Sequence, residues 1–414
     1  MSSFLIFFVC FALAAFSFLG ITLWYVVRMW DYEPLSRWVR RHRTLVRFGY
    51  YSFLASIPLL AVFSYAYTVY YYTWITSWVY TIFVWLLGTS GYFLLASIAA
   101  WALGLGTLLI KKFFQKSHHY GVIENRRARL KAFLLPLHTE YSRVAKYIIT
   151  LPFLLAIIVV MYGTINAQMV RVTHYELSAS SGTHPLPSSW IGKNIVLYTD
   201  THIGQVRKQA FLTRVVKLIN EQNPYITIMA GDLIDGPEFP HALLEPLAQL
   251  TSIKGNYFIE GNHEGYSKDP DIAKVIDGYL TRISDRAMTV DGVSLVGINY
   301  YHEDVATTQQ RVDTIAKNNK DVTKTPVIGI IHDPKNVQAF DTLHPNLTLS
   351  GHTHNGQMWP GSLMVQKIYG RLGYGKSASP TGLGFHITSS GAGTAQTPMR
   401  IASKAEIVVI TITE

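Results

Sequence analysis

Thiols are almost absent from this sequence, since the single cysteine among 414 residues, Cys10, sits inside an apolar run. An intrachain disulfide is therefore excluded, and neither a thiolate metal site nor a cysteine nucleophile is suggested. Acidic residues are scarce in the first 167 positions, where Asp31, Glu33, Glu124 and Glu140 stand against 15 lysines and arginines. The remainder holds 21 basic and 22 acidic residues, so the formal charge of +10 resides in the first part. A globular part without cationic excess has nothing with which to neutralise a phosphate backbone, which argues against nucleic acid as a partner. Charge of either sign is missing between Arg47 and Lys111. The apolar stretches contain almost none of the ionisable residues that mark an ion or substrate path, which favours an anchor over a channel or transporter.

What is present in the first part is hydrophobic length. Residues 4–27, FLIFFVCFALAAFSFLGITLWYVV, are uncharged and long enough to cross about 30 Å of hydrocarbon as a helix. The preceding MSS has no positive charge and the run exceeds a signal-peptide core, so a retained helix is expected rather than a cleaved leader. Further spans are expected over 49–72, within 79–110 and over 147–166, giving a transmembrane domain of about four helices in residues 1–167. The third stretch is long for one crossing, which implies tilt or an interfacial end. Arg28, Arg37, Arg40, Arg41, Arg43 and Arg47 follow the first span, and nine cations from Lys111 to Lys146 follow the third. Both loops are expected on the cytoplasmic side, with Tyr65, Tyr67, Tyr70, Tyr71, Tyr72, Trp74, Trp78 and Tyr80 forming an aromatic belt opposite. Four spans then place everything after residue 167 in the periplasm or on the outer face of a multi-pass membrane protein. A hairpin in the third stretch would invert that.

A chain of this length holds at least two structural units, and residues 168–414 read as the second. After a strand-like MVRVTHYELS and a Ser, Gly and Pro-rich lead-in, one device recurs. A β-branched apolar run ends abruptly in Asp, Asn or His. NIVLYTDTHIG delivers Asp200 and His202, YITIMAGDLIDG delivers Asp232, and GNYFIEGNHEG delivers Asn262 and His263. PVIGIIHDP delivers His332, and LTLSGHTHNGQ delivers His352 and His354. Helix-period stretches at 207–220 and 242–250 separate some of these runs, which implies an α/β sheet whose ligands gather at the carboxyl ends of its strands. In an Asp-x-His step leaving a strand, alternate side chains point the same way and reach one ion. A Gly-Asp corner allows close backbone approach and leaves a carboxylate able to bridge two cations. Imidazoles, carboxylates and an amide oxygen without thiolates suit Mn²⁺, Fe or Zn²⁺ better than Ca²⁺. Two such ions about 3.5 to 4 Å apart would clamp the attacking and leaving oxygens of a phosphoryl displacement.

In this order the blocks Asp200-Thr-His202, Gly231-Asp232, Gly261-Asn262-His263-Glu264, His332 and Gly351-His352-Thr-His354 resemble the calcineurin-like metallophosphoesterase superfamily over roughly residues 168–414. The tail resembles its membrane-tethered bacterial branch, transmembrane proteins with a metallophosphoesterase domain. The resemblance implies two mixed β-sheets sandwiched between helices, two divalent or transition metal ions with manganese foremost, and phosphoester hydrolysis. It implies Asp200, His202 and His354 on the first ion, Asn262, His332 and His352 on the second, and Asp232 bridging. His263 is left off the metals to stabilise or protonate the leaving group. Glu264 stands where Asp is commoner and Asn355 where Gly is usual, neither as a ligand. Asp235 and Asp333 follow ligand positions and read as their hydrogen-bond partners. His174, His241, His344 and His386 read as surface or hydrogen-bonded histidines, and His302 as a substrate-loop residue.

The expected activity is hydrolysis of a phosphoester or pyrophosphate in a lipid-linked or envelope substrate by a membrane-anchored enzyme. A UDP-2,3-diacylglucosamine pyrophosphatase of lipid A synthesis is a second reading, against which the topology speaks because that substrate arises on the cytoplasmic side. A non-catalytic membrane scaffold binding a phospho-ligand is a third, against which the complete ligand set speaks. A periplasmic reporter fused after Glu414 should be active and a cytoplasmic one silent in the same cells; the reverse pattern contradicts the four-span topology.

Overall fold

The computed structural model describes residues 141–236, 238–301, 303–379 and 384–414, with scattered positions within 81–99. The expected spans at 4–27, 49–72 and 79–110 and their basic loops fall wholly or almost wholly outside the described residues. The fourth falls on α1 (Tyr141–Asn166), whose side chains are described from residue 151. Among the described residues no helix is long and apolar enough to cross a membrane.

Gly163–Glu414 falls in one compact unit. Its strands are β1 (Val170–Ser178), β2 (Asn194–Tyr198), β3 (Ile203–Gly204), β4 (Ile226–Ala230), β5 (Ile234–Asp235), β6 (Asn256–Ile259) and β7 (Thr281–Arg282), then β8 (Arg286–Val290), β9 (Val293–Ile298), β10 (Val327–Ile331), β11 (Leu347–Ser350), β12 (Gly375–Ala378), β13 (Phe385–Thr388) and β14 (Ala405–Thr413). The α-helices after α1 are α2 (Gln209–Asn220), α3 (Ile272–Asp277), α4 (Val305–Asn318) and α5 (Gly361–Tyr369). One sheet runs β1-β14-β2-β4-β6-β7, the other β12-β13-β11-β10-β9-β8, and β3 pairs with β5 as a small ribbon. Both large sheets are mixed. In the first, β14 is antiparallel to β2 while β2, β4, β6 and β7 are parallel. In the second, β9, β10, β11 and β13 are parallel and the two edge strands antiparallel.

Period-two alternation sorts each strand between two cores. Ile195, Leu197, Ile226, Ile228 and Ile259 of the first sheet pack with Leu295, Ile328, Ile330, Leu347 and Leu349 of the second, all buried. The residues between them, Val196, Tyr198, Met229 and Phe258, point outward onto α2 and the 3-10 turn His241–Gln249. Val296, Ile298 and Ile331 do the same for α4 and the turn Pro334–Leu343. The result is an α/β architecture of two mixed sheets with helices on both outer faces.

The strand-like MVRVTHYELS forms a full edge strand, paired with β14 along nine residues from Val170↔Ala405 to Ser178↔Thr413. One sequence expectation is corrected. The 242–250 helix is 3-10 rather than α, because Pro246 inside it removes an N–H and obstructs the i→i−4 ladder. By contrast α2 buries Phe211, Leu212, Val215, Val216 and Ile219, the face its period predicts.

Candidate metal centre

The parallel strands β2, β4 and β6 stop side by side, as do β10 and β11 in the facing sheet, and every motif residue lies just past one of these carboxyl ends. Backbone bonds knit the loops together. Asp200 N–H donates to Gly231 O at 3.0 Å, His202 N–H to Asp232 O at 3.1 Å, and Gly351 N–H to His332 O at 3.0 Å. Between sheets, His352 N–H donates to the Asp200 carboxylate at 3.1 and 3.2 Å.

The Asp200-to-His202 step is not extended as the alternation argument required. Asp200, His202, Asp232, His352 and His354 all have positive φ, between 49° and 70°. Left-handed backbone disfavours an ordinary L-residue by about 1 kcal/mol or more. Five such residues in one cluster mean that the fold imposes these angles to aim side chains at a common point. Glycine supplies the remaining clearance. A Cβ on Gly231, itself at φ 90°, would lie 2.6 Å from His332 Nδ1 and 2.8 Å from Gly261.

Two groups of donor atoms converge, each within 4.8 Å: Asp200 with His202 and His354, and Asp232 with His332 and His352. In the first group, His354 Nε2 is 3.4 Å from Asp200 Oδ1, and 2.9 Å from His202 Nε2. In the second, His332 Nε2 lies 3.0 Å from Asp232 Oδ2 and 3.3 Å from His352 Nδ1. Asp232 also reaches the first group, with Oδ2 3.9 Å from His202 Nε2. Asn262, just before His263 in the chain, has a buried Oδ1 that lacks any hydrogen-bond partner. A third grouping links His202, Asp232 and His263.

The donor set fits cations. Burial, then the charge of His263, holds His202 down to about 3. Burial, then His202 and Arg400, holds His354 well below the usual imidazole range. Both rings are neutral; Arg400 Nη2 donates to His354 Nδ1 at 3.1 Å, which leaves the hydrogen on His354 Nε2 to donate to His202 Nε2 across the 2.9 Å contact. Burial and the charge of His332 bring His352 to about 4. Burial works against ionisation of Asp232, but the charge and hydrogen bond of His332 outweigh it and hold the carboxylate well below its usual range. In the reverse direction, burial opposes a charged His332, yet Asp232 raises it to about 10. His332 Nδ1 donates to Ala230 O at 2.8 Å, so its Nε2 is the nitrogen free to turn toward a metal once deprotonated. Asp200, raised to about 6 mainly by burial, is the least comfortable carboxylate without a cation.

His263 is held differently. Its Nδ1 lies 3.0 Å from Asp235 Oδ1, and its backbone N–H donates to Asp232 Oδ1 at 2.8 Å. Burial disfavours its charge, but the Asp235 bond and Asp232 lift it to about 9. It is therefore held as a protonated imidazole beside the Asp/His cluster, with Asp235 as its own hydrogen-bond partner. Asp333 sits 3.9 Å from His352 Nε2. Of the other histidines, His174 and His344 are exposed, His241 pairs with Asp269 at 2.5 Å, and His386 is buried between Thr348, Ser350 and Thr388. His302 lies outside the described residues.

Three contributors were not legible from the motifs. Glu264 carries a buried carboxylate that accepts backbone N–H groups from Asp232 (3.0 Å), Leu233 (2.8 Å), Ile234 (3.2 Å) and Gly261 (2.7 Å). It fixes the Gly-Asp and Gly-Asn loops to one another. The fully buried Arg400 donates to the carbonyls of Ser390 (2.6 Å), Gly393 (2.7 Å), Lys404 (2.9 Å) and His354 (3.3 Å), which ties the histidine loop to the last strand. Tyr300, just beyond β9, sets its ring 5.9 Å from His332 and 5.8 Å from His352. A sixth strand end thus faces the site without carrying a metal-type residue.

This geometry meets a family likeness. Residues 193–356 match the family model for calcineurin-like phosphoesterases. The chain carries a calcineurin-like metallophosphoesterase domain. A Helicobacter pylori protein named an uncharacterized metallophosphoesterase is 30% identical over 52% of this chain and 58% of its own length. A Danio rerio protein named transmembrane protein with metallophosphoesterase domain is 27% identical over 63% of this chain and 62% of its own. The chain therefore spans about three fifths of the length of these two relatives.

Two outcomes follow. Because His332 carries a proton in the metal-free protein below about pH 10 and a ligand must be neutral, Mn²⁺ binding at pH 7.5 should release protons, and affinity should fall as pH falls. Calorimetry in buffers of different ionisation enthalpy reads this, and uptake independent of buffer and pH contradicts it. Glu264→Gln keeps the shape but turns an NH₂ toward backbone N–H donors, so metal affinity should drop about 10- to 100-fold with the fold retained; unchanged affinity removes the positioning role.

Proposed function

We propose that this protein is a membrane-anchored two-metal phosphoesterase that hydrolyses a phosphoester or pyrophosphate bond in a lipid-linked or envelope substrate. The observation that carries the catalytic part is the convergence of two Asp/His groups on either side of Asp232. Asp200, His202 and His354 would hold one ion, Asn262, His332 and His352 the other, with Asp232 shared between them. Manganese leads, with zinc or iron as the other candidates for this oxygen and imidazole set. When bound, the two ions would lower the pKa of a water between them and neutralise charge on the phosphoryl oxygens.

The chain's own residues do the rest. Glu264 and the left-handed corners hold the ligands in place before substrate arrives, so little reorganisation accompanies reaction. His263, kept protonated by Asp235 and Asp232, has the charge and the proton to offer a departing oxygen. Tyr300 walls the side of His332 and His352 with an aromatic face on which the substrate's remainder can lie.

Anchoring rests on sequence and on α1. The apolar stretches of residues 1–167 propose a multi-pass protein of the bacterial cell membrane with this domain on the extracytoplasmic side. On α1, Leu151, Leu154, Leu155, Ile158, Met161 and Tyr162 are all about half exposed or more, which suits an apolar environment better than water. Membrane lipids are then its immediate partners, and a substrate that cannot leave the bilayer is within reach.

Asp232→Asn preserves volume but removes the negative charge shared between the two groups. It should reduce Mn²⁺-dependent hydrolysis of a chromogenic phosphodiester by about 10³-fold or more, an estimate scaled to the several kcal/mol that charge stabilisation supplies. Activity within tenfold of the parent protein would refute the two-metal reading.

A further inference from the structure

We propose that α5 and the adjoining Trp359 form an interfacial foot that rests on an anionic lipid bilayer, holding the histidine loop at headgroup level for a phosphate carried on a lipid. This rests on the membrane-tethered reading above and names the surface that executes it.

The helix is apolar on its outer side. Leu363, Met364 and Ile368 are 57%, 65% and 63% exposed, and Trp359 just before the helix is 47% exposed. Positions 363, 364, 367 and 368 share one side of an α-helix, so the stem of Lys367 completes the same face. The opposite side carries Val365 and Tyr369, which close on Gly373: a Cβ there would stand 2.7 Å from Val365 Cγ1. A helix packed on a protein in water shows the reverse arrangement, with aliphatic residues inward and polar ones outward.

Charge selects the occupant. From Thr342 to Ala405 there is no aspartate or glutamate, while Lys367 and Arg371 are exposed on and just after α5. An apolar face bordered by cations and a tryptophan, on a stretch of chain without acids, matches an anionic membrane interface.

Continuity with the tether points the same way. Trp359 N–H donates to Ile401 O at 2.9 Å, and Ile401 N–H donates to Gln357 O at 2.9 Å. The neighbouring Arg400 N–H donates to Gly163 O at 2.9 Å, and Asn166 Nδ2 donates to Arg400 O at 3.0 Å and Ser403 O at 2.9 Å. Gly163–Asn166 is the last turn of α1 and belongs to this same compact unit, with Ile165 and Met169 exposed. The segment 400–403 therefore braces both the end of the apolar helix and the start of the foot.

The foot is coupled to the site. Gly361 N–H donates to Met358 O at 2.7 Å, and Thr353, between the two ligand histidines, donates its hydroxyl to Gly373 O at 2.7 Å. Bilayer contact at α5 is thereby transmitted to His352 and His354 over a few bonds.

The test uses the full chain with Cys10→Ser, reconstituted in phosphatidylcholine vesicles with phosphatidylglycerol. A nitroxide at Met364→Cys should be open to oxygen and shielded from a water-soluble nickel chelate, while one at the exposed Lys320→Cys should show the opposite. A label at 364 as open to the chelate as that at 320 overturns the proposal. Shielding from both reagents with spin–spin broadening would show a second copy of the chain on this face and also overturns it. In a second measurement, Leu363→Glu with Ile368→Glu should keep the rate on a soluble chromogenic diester and lower the rate on a vesicle-borne phosphate ester tenfold or more. Equal rates on both substrates contradict the foot. The depth measurement needs no turnover, so an inactive protein with a buried label would sink only the catalytic reading.

Discussion

The structure turns on burying one carboxylate among imidazoles. Asp232 is nearly inaccessible, and its charge holds His332 protonated while bearing also on His202 and His263. An ionised carboxylate so deep in a domain must be matched by opposite charge or hydrogen bonds, since the penalty for leaving it unmatched is several kcal/mol. In the metal-free protein protonated histidines supply that match. Cations would supply it better, because they also use the lone pairs of His202, His354 and His352 and the orphaned Oδ1 of Asn262. The two sheets serve this requirement by ending five strands at one place, and the small β3–β5 ribbon carries Asp235 to its partner His263.

Much of this was written in the sequence at short range. The β-branched runs that end in Asp, Asn or His locate strand ends directly, and the period of 209–220 identifies the buried face of α2. The fold brings together the donor atoms of Asp200 with His202 and His354, and of Asp232 with His332 and His352. What stayed hidden depends on distant partners. Nothing local to Glu264 says that its carboxylate collects four N–H groups from two loops, and nothing near Arg400 marks it as the fully buried clasp of the histidine loop. The segment of β1 reads as a strand, but its place in the sheet could not be read because its pairing partner lies over two hundred residues away in β14. The left-handed angles at Asp200 and His202 could not be read either, since the sequence offers no glycine there and tertiary bonds alone impose them.

A division of labour emerges between rigidity and access. The ligands are fixed by backbone bonds, glycine clearance and buried charge, all features that resist motion. The surroundings are adaptable: Tyr300 on one wall, and on another the exposed apolar face of α5 attached directly to the histidine loop. Such a centre makes the chemistry general and leaves selection to what can be brought against it. In the proposed reading, a lipid surface met by α5 would make that selection by location.

The central claim is that this domain holds two cations across Asp232. Crystals of the protein equilibrated with Mn²⁺ and measured near the manganese absorption edge should show two anomalous peaks per chain, one beside Asp200, His202 and His354 and the other beside Asn262, His332 and His352, each in contact with Asp232. No peak, or a single peak touching only one of the two groups, would contradict the account.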